Sequence, residues 1–124
     1  ELCIYNTIEI IKRYEPKVYV IENPASSKIW YYIDDILNFK IPFDNLAHYH
    51  CYNYPLRKPT RFKSNIKLGL IRNQKLKPEI GFRNFSKSYN ERSNIPLELI
   101  VDIYKAVNQY LTNPIGVPSE RLLF

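Results

Sequence analysis

Glycine is scarce in this chain of 124 residues: there are three, and none precedes Gly69. The first half therefore holds no glycine-rich, phosphate-cradling loop. Cysteine is scarcer still. Cys3 and Cys51 allow at most one bridge, nothing in their spacing marks a secreted scaffold, and they read as free thiols of a reducing, cytoplasmic compartment. No run of 18 apolar residues exists, so no membrane-spanning helix is expected, and the mixed N-terminus lacks the basic start of a secretory signal. Paired metal-ligand motifs are missing too. His48, His50 and Cys51 form one cluster only, and on a strand His50 and Cys51 point to opposite faces, so no metal is expected. No side-chain arrangement argues for an activated Cys51 thiolate.

Acidic residues are nearly absent from one stretch. Between Arg57 and Lys87 ten basic residues face a single acid, Glu79, a balance of +9. The other eight basic and eleven acidic residues leave −3, which together give the chain its +6. A localised basic block suits a polyanion, most simply nucleic acid; a solvated lysine-rich face is the competing reading. Arg57, Lys58, Arg61 and Lys63 are the expected DNA contacts, because a hairpin would hold them more rigidly than the later lysines.

What is present in quantity is apolar and aromatic. Hydrophobic residues at 45% suffice for the core of one domain. Residues 2–14 read as an amphipathic helix, with Ile4, Ile8 and Ile11 on one face and Lys12 and Arg13 in the last turn, where the helix dipole favours cations. Val18, Tyr19, Val20 and Ile21 then make a short buried strand. Glu22 follows at once, with Asn23 and Pro24 behind it. In an open α/β sheet, ligands bind beyond the carboxyl ends of strands, and a poorly solvated carboxylate there gains a raised pKa. The competing reading makes Glu22 a solvated loop acid. Ser26 or Ser27 caps a helix over 28–37, with Asn38 near its end, and 39–44 is a loop. Residues 46–52 alternate as a strand and 57–65 as a second, joined antiparallel as a basic hairpin. Residues 66–88 carry no clear period. Pro96 opens a final long helix whose stripe is Leu97, Ile100, Val101, Tyr104, Val107 and Leu111.

Three stretches taken in order resemble the second half of the cytosine-C5 DNA methyltransferase family. Lys17-Val18-Tyr19-Val20-Ile21-Glu22-Asn23-Pro24 is similar to the family's "PKxWVIENP" strand. Tyr49 to Asn65, containing Cys51-Tyr52-Asn53 and Lys58-Pro59-Thr60, is similar to a "YCxYG…KPTxxWxN" hairpin of phage-type members. Arg92-Ser93-Asn94-Ile95-Pro96-Leu97-Glu98-Leu99 is like the "RxxIPxxL" start of the last family helix.

The resemblance implies an α/β fold: a partial Rossmann-like methyltransferase sheet, its C-terminal half, with an antiparallel hairpin and a long C-terminal helix, as one partial domain over 1–124. It implies Glu22 as the catalytic acid gripping N3 and the exocyclic amine of a flipped cytosine, with Asn23 and Pro24 shaping the turn. It implies S-adenosylmethionine as methyl donor, held mainly by residues outside this chain, with Asn94 and Ile95 beside it. The departures are concrete. The family's glycine loop and Pro-Cys nucleophile belong upstream and are absent. Leu56, Lys58 and Thr60 replace its hairpin Gln/Arg/Arg, and Asn53 stands where glycine is usual. The target-recognition region is cut down to about 66–92, within a vestigial segment 57–92.

The chain does not begin with Met and opens directly on a helical pattern, so a fragment or one subunit of a split enzyme is expected. Its partners would be DNA and either a complementary N-terminal half or a second copy. Two readings compete: an enzyme part, and a non-catalytic nucleic-acid- or partner-binding module built on the same fold. A third, an unrelated basic nucleic-acid-binding α/β domain, lacks the stacking aromatic signature of RNA-binding sheets.

Overall fold

The structure, a computed structural model, describes residues 2–70 and 94–113. The rest of the basic block beyond Leu70, from Arg72 to Lys87, lies outside them, as do most of the 66–92 segment and the tail.

Helix α1 spans Leu2–Tyr14, and Ile4, Ile8 and Ile11 are its buried residues, as the 3.6-residue spacing predicts. Glu15 closes it in the left-handed region (φ 45°), its N–H donating to the Ile11 carbonyl at 3.0 Å before Pro16. Strand β1 is Val20–Pro24. Helix α2 is a single turn, Ile29–Tyr31, that widens into a π-helical turn over Tyr32–Ile36. The Ser27 hydroxyl accepts the Ile29 amide hydrogen at 3.3 Å, and Asn38 (φ 52°) ends the segment in the left-handed region. The uniform helix expected over 28–37 is thus a short turn followed by wider ones, with Leu37 donating to Tyr32 (2.8 Å) and Phe39 to Ile33 (2.9 Å).

Strand β2 covers Phe43–His48 and strand β3 Pro59–Ser64. The sheet order is β1-β3-β2 and every pair is antiparallel. The fold is therefore mixed α/β, with a small antiparallel sheet and a long C-terminal helix, α3, over Leu97–Thr112. The expected hairpin is present. The 46–52 strand is not: it begins three residues earlier and gives way at Tyr49 to a 3₁₀ turn, Tyr49–Tyr52. Alternation persists in the sequence there, but Asn53 (φ 60°) turns the backbone.

Two layers flank the sheet, and strand alternation sorts them. One face buries Thr60, Phe62, Ser64, Ala47 and Tyr49 together with Leu99 of α3. The other packs Ile21 against Ile4, Ile8, Ile11, Trp30 and Ile33 of the helical segments. Helix α3 turns an unexpected side inward. Leu99 is fully buried with Ile103, Ala106 and Val107 packed beside it, whereas Leu97, Ile100, Val101, Tyr104 and Leu111 are exposed. The helix is apolar on most of its circumference, so two stripes fit a 3.6-residue period, and the one holding small Ala106 approaches the core. Leu99→Ala is expected to cost about 2–5 kcal/mol, and Ile100→Ala to stay within about 0.5 kcal/mol, in urea unfolding. The reverse order would restore the outward stripe as the packed one.

Candidate active site

Glu22 does not follow the strand; it lies inside it. Pairing runs on through Asn23 with Arg61 and Pro24 with Thr60. The reason is directional. The Tyr19 N–H donates to Asn65 Oδ1 (2.9 Å) and the Ala25 N–H to the Pro59 carbonyl (3.1 Å), both toward β3. Alternation then sends the backbone groups of Ile21 and Asn23 to β3, and those of Val20, Glu22 and Pro24 to the outer edge. Proline's missing N–H falls where β3 does not need it, so Pro24 extends the strand instead of stopping it.

Among the described residues no strand pairs with that outer edge. An open hollow of about 360 Å³ runs along it, lined by Val20, Ile21, Glu22 and Asn23 of β1, by Cys3, Ile4 and Thr7 of α1, and by Ile29. Asn23 and Pro24 shape its end. The Asn23 amide donates to the Glu22 carbonyl (3.1 Å), while the Pro24 carbonyl accepts from Trp30 Nε1 (3.0 Å) and from the Ser27 N–H (3.0 Å). Glu22 is half-buried. Loss of hydration pushes its carboxyl pKa up, and the Lys58 charge pulls partly back.

The sequence did not single out the groups that share Glu22's face. Glu22 opposes Phe62, and one residue pair further along β3, Thr60 sits between Pro24 and Ala47. Tyr49 follows on that same side, its N–H donating to the Arg57 carbonyl at 2.7 Å. Its ring is fully buried, and its hydroxyl has no hydrogen-bond partner among the described residues. Burial pushes the phenol up to about 12; the nearby Thr60 hydroxyl acts the other way, and Glu22 and Tyr54 add to the rise. Thr60 directs its own proton to the Lys58 carbonyl at 3.1 Å, which leaves its oxygen able to accept from a neighbouring hydroxyl. Lys58 Nζ stands 5.4 Å from the centre of the Tyr49 ring, on a backbone held at φ 35°, an uncommon conformation for lysine. Positive charge and a buried aromatic at a strand end were the available signals, masked by reading Lys58 as a phosphate contact.

The four basic hairpin residues do not form one surface. Arg61 pairs with Asp44, and Lys63 reaches Asp34 at 3.4 Å while lying 5.6 Å from the Trp30 ring centre. Lys58 faces Tyr49 and the Glu22 charge. Arg57 is exposed, with Nε donating to His48 Nδ1 at 3.3 Å. Burial, with the Arg57 charge and His50 adding to it, depresses the His48 pKa. If the chain binds duplex DNA through phosphates, Arg57→Ala should flatten the salt slope of binding by about one, and Lys63→Ala should leave it unchanged. Anisotropy titrations over a range of salt read both.

The 3₁₀ turn brings His50 and Cys51 side by side, Nε2 to Sγ 3.8 Å, where a strand would have parted them. Burial raises the Cys51 thiol pKa, which favours an inert sulfur. No group of three or more His, Cys, Asp or Glu side chains converges as metal ligands among the described residues. Cys3 opens onto the Glu22 hollow from α1. Asn94 is exposed and Ile95 packs against the core beneath α3; neither lines the hollow. Asn53, standing where the resembled hairpin has glycine, takes the left-handed conformation that asparagine tolerates best among residues with a side chain. No helix among the described residues is long and apolar enough to cross a membrane. Comparison with protein-family models, with curated proteins and with solved structures gives no match for this chain.

Proposed function

We propose that this chain is the Glu22-bearing part of a DNA cytosine-C5 methyltransferase, built on a Rossmann-like sheet that a complementary polypeptide completes. The observation that carries the reading is the raised-pKa carboxyl of Glu22 beside a hollow along an open strand edge. A carboxylic acid in that state donates a hydrogen bond or a proton to N3 of cytosine, which makes C6 open to attack by a thiolate. The thiolate belongs to the complementary part, since Cys3 lies on a helix and not in a Pro-Cys turn. S-adenosylmethionine supplies an electrophilic methyl group, and the protein's task is to hold the reactants in line.

The β1 edge supports the need for a partner. The backbone N–H groups of Val20 and Glu22 face outward with an apolar floor beneath them, and such edges accept an added strand. Glu22 would then lie within a wider sheet. DNA is held by Arg57 at the hairpin end, through phosphates, with little sequence preference.

The test is reconstitution. The full chain is co-expressed with a polypeptide carrying the Pro-Cys and glycine-loop stretches of the resembled family, and transfer of labelled methyl from S-adenosylmethionine to duplex DNA is measured. Transfer to cytosine C5 that depends on both parts is the expected result. A stable complex that binds DNA and transfers nothing would leave the binding-module reading in its place.

A further inference from the structure

We infer that His48 and Arg57 form a phosphate-binding fork: the imidazole accepts the Arg57 Nε–H and leaves the two terminal nitrogens of the guanidinium to grip two oxygens of a phosphate. His48 is thereby a positioning residue and does not meet the phosphate. The inference deepens the reading of the hairpin as a DNA contact, and it rests on that reading for the source of the phosphate.

The first ground is the contact itself. Arg57 Nε donates to His48 Nδ1 at 3.3 Å. A guanidinium carries its N–H groups in one fixed plane, and it takes an oxyanion either through Nε and one terminal nitrogen or through both terminal nitrogens. With Nε spent on the imidazole, the second pair is what remains. The second ground is that both partners are held. His48 is the last residue of β2, in register with Pro59 of β3, and the His50 ring meets its ring edge-on at 6.1 Å. The Arg57 carbonyl accepts the Tyr49 N–H at 2.7 Å. An arginine fixed beforehand loses less rotamer freedom when an anion arrives.

The third ground is charge. Asp44 answers Arg61, and Asp34 answers Lys63. Arg57 is exposed, and among the described residues no carboxylate pairs with it. A carboxylate at position 48 would orient the guanidinium and also cancel its charge. An imidazole that accepts at Nδ1 is neutral, with its proton on Nε2, so it orients the guanidinium and leaves the full charge for a ligand. The titratable groups around His48 are Arg57 and His50, with the Cys51 sulfur 3.8 Å from His50 Nε2 behind them.

The experiment uses the full chain and has two arms. In the first, inorganic phosphate is titrated in at constant ionic strength with no nucleic acid present, and the Arg57 Nε–H resonance is followed by NMR. It should shift in the parent and not in His48→Ala. In the second, anisotropy of a labelled duplex oligonucleotide is read over a range of salt. His48→Ala removes no charge, so affinity should fall by about 3- to 10-fold at every salt concentration while the slope stays the same. His48→Asn, whose amide oxygen can accept where Nδ1 did, should restore most of that loss. Arg57→Lys keeps the charge and loses the fork, and it should weaken binding with its slope kept. Amide spectra verify that each variant is folded; should His48→Ala misfold, Arg57→Lys gives the reading. Parent affinity in either variant overturns the inference and makes Arg57 a point charge. So does a loss in His48→Ala that His48→Asn fails to restore, or a parent whose Arg57 resonance ignores phosphate. A parent that shows the phosphate shift and binds no oligonucleotide keeps the fork and overturns the DNA reading alone.

Discussion

Glu22→Gln in the reconstituted enzyme should lower turnover by roughly 10²–10⁴-fold, the usual contribution of a positioned acid, while leaving the chain folded. Glutamine keeps the shape and can still meet the base, but it cannot deliver a proton. The variant should also be no less stable than the parent near neutral pH. In the folded chain the Glu22 pKa lies above its ordinary value, so the native state holds more protons than the unfolded one in the window just above the ordinary carboxyl pKa. Stability carried by protonated Glu22 is therefore complete at acid pH and lost as pH rises through the folded pKa. The glutamine variant escapes that loss, and its advantage should be larger at pH 7 than at pH 4. Urea unfolding at the two pH values measures it. Cys3→Ser, on the same hollow, is the matched control and should retain turnover. Full activity in Glu22→Gln would end the catalytic reading.

The largest effect on folding should come from Phe62. It is 1% exposed, it sits on the central strand, and it faces Glu22 on one neighbour and Asn45 on the other. Truncation to alanine should cost about 3–5 kcal/mol, a large share of the 5–15 kcal/mol typical of a whole domain. Leu46, 41% exposed on the opposite face of β2, should lose no more than about 0.5 kcal/mol when changed to alanine. Comparable losses at the two sites would mean that the sheet's two faces are assigned wrongly.

How much of this was legible beforehand follows from what each segment's pattern constrains. Helix α1 was fully legible: thirteen residues with one apolar face and a proline behind them permit a single solution. The hairpin was legible because Thr60, Phe62 and Ser64 alternate with Arg61 and Lys63. The end of β1 was misplaced by three residues, since it depends on which edge Pro24 presents, and that is a property of the partner strand. Helix α3 was legible in extent and not in orientation, because its apolar residues outnumber those one face can hold. Glu22 stood out by its place behind an apolar run, although it lies within the strand and not beyond it. Tyr49 was not, since its relation to Glu22 exists only once β3 has brought two strands together, 27 residues apart in the chain. The basic hairpin residues were counted as charges, and a count could not show that Asp44 and Asp34 lie opposite Arg61 and Lys63.

The sequence contains one tryptophan, and its indole is tied to the end of β1 through the Pro24 carbonyl, with the Lys63 ammonium near its face. Its emission is thereby a built-in optical gauge of the ground just past Glu22. A strand settling on the outer edge of β1, or a base entering the hollow, would alter the polarity and quenching around a single fluorophore. Tyrosine light can be avoided by exciting at the red edge of the indole band. Assembly with a complementary polypeptide can thus be followed in real time with no label attached, and the amplitude of the change can be compared between Asn23→Ala, which loosens that end, and the unaltered chain.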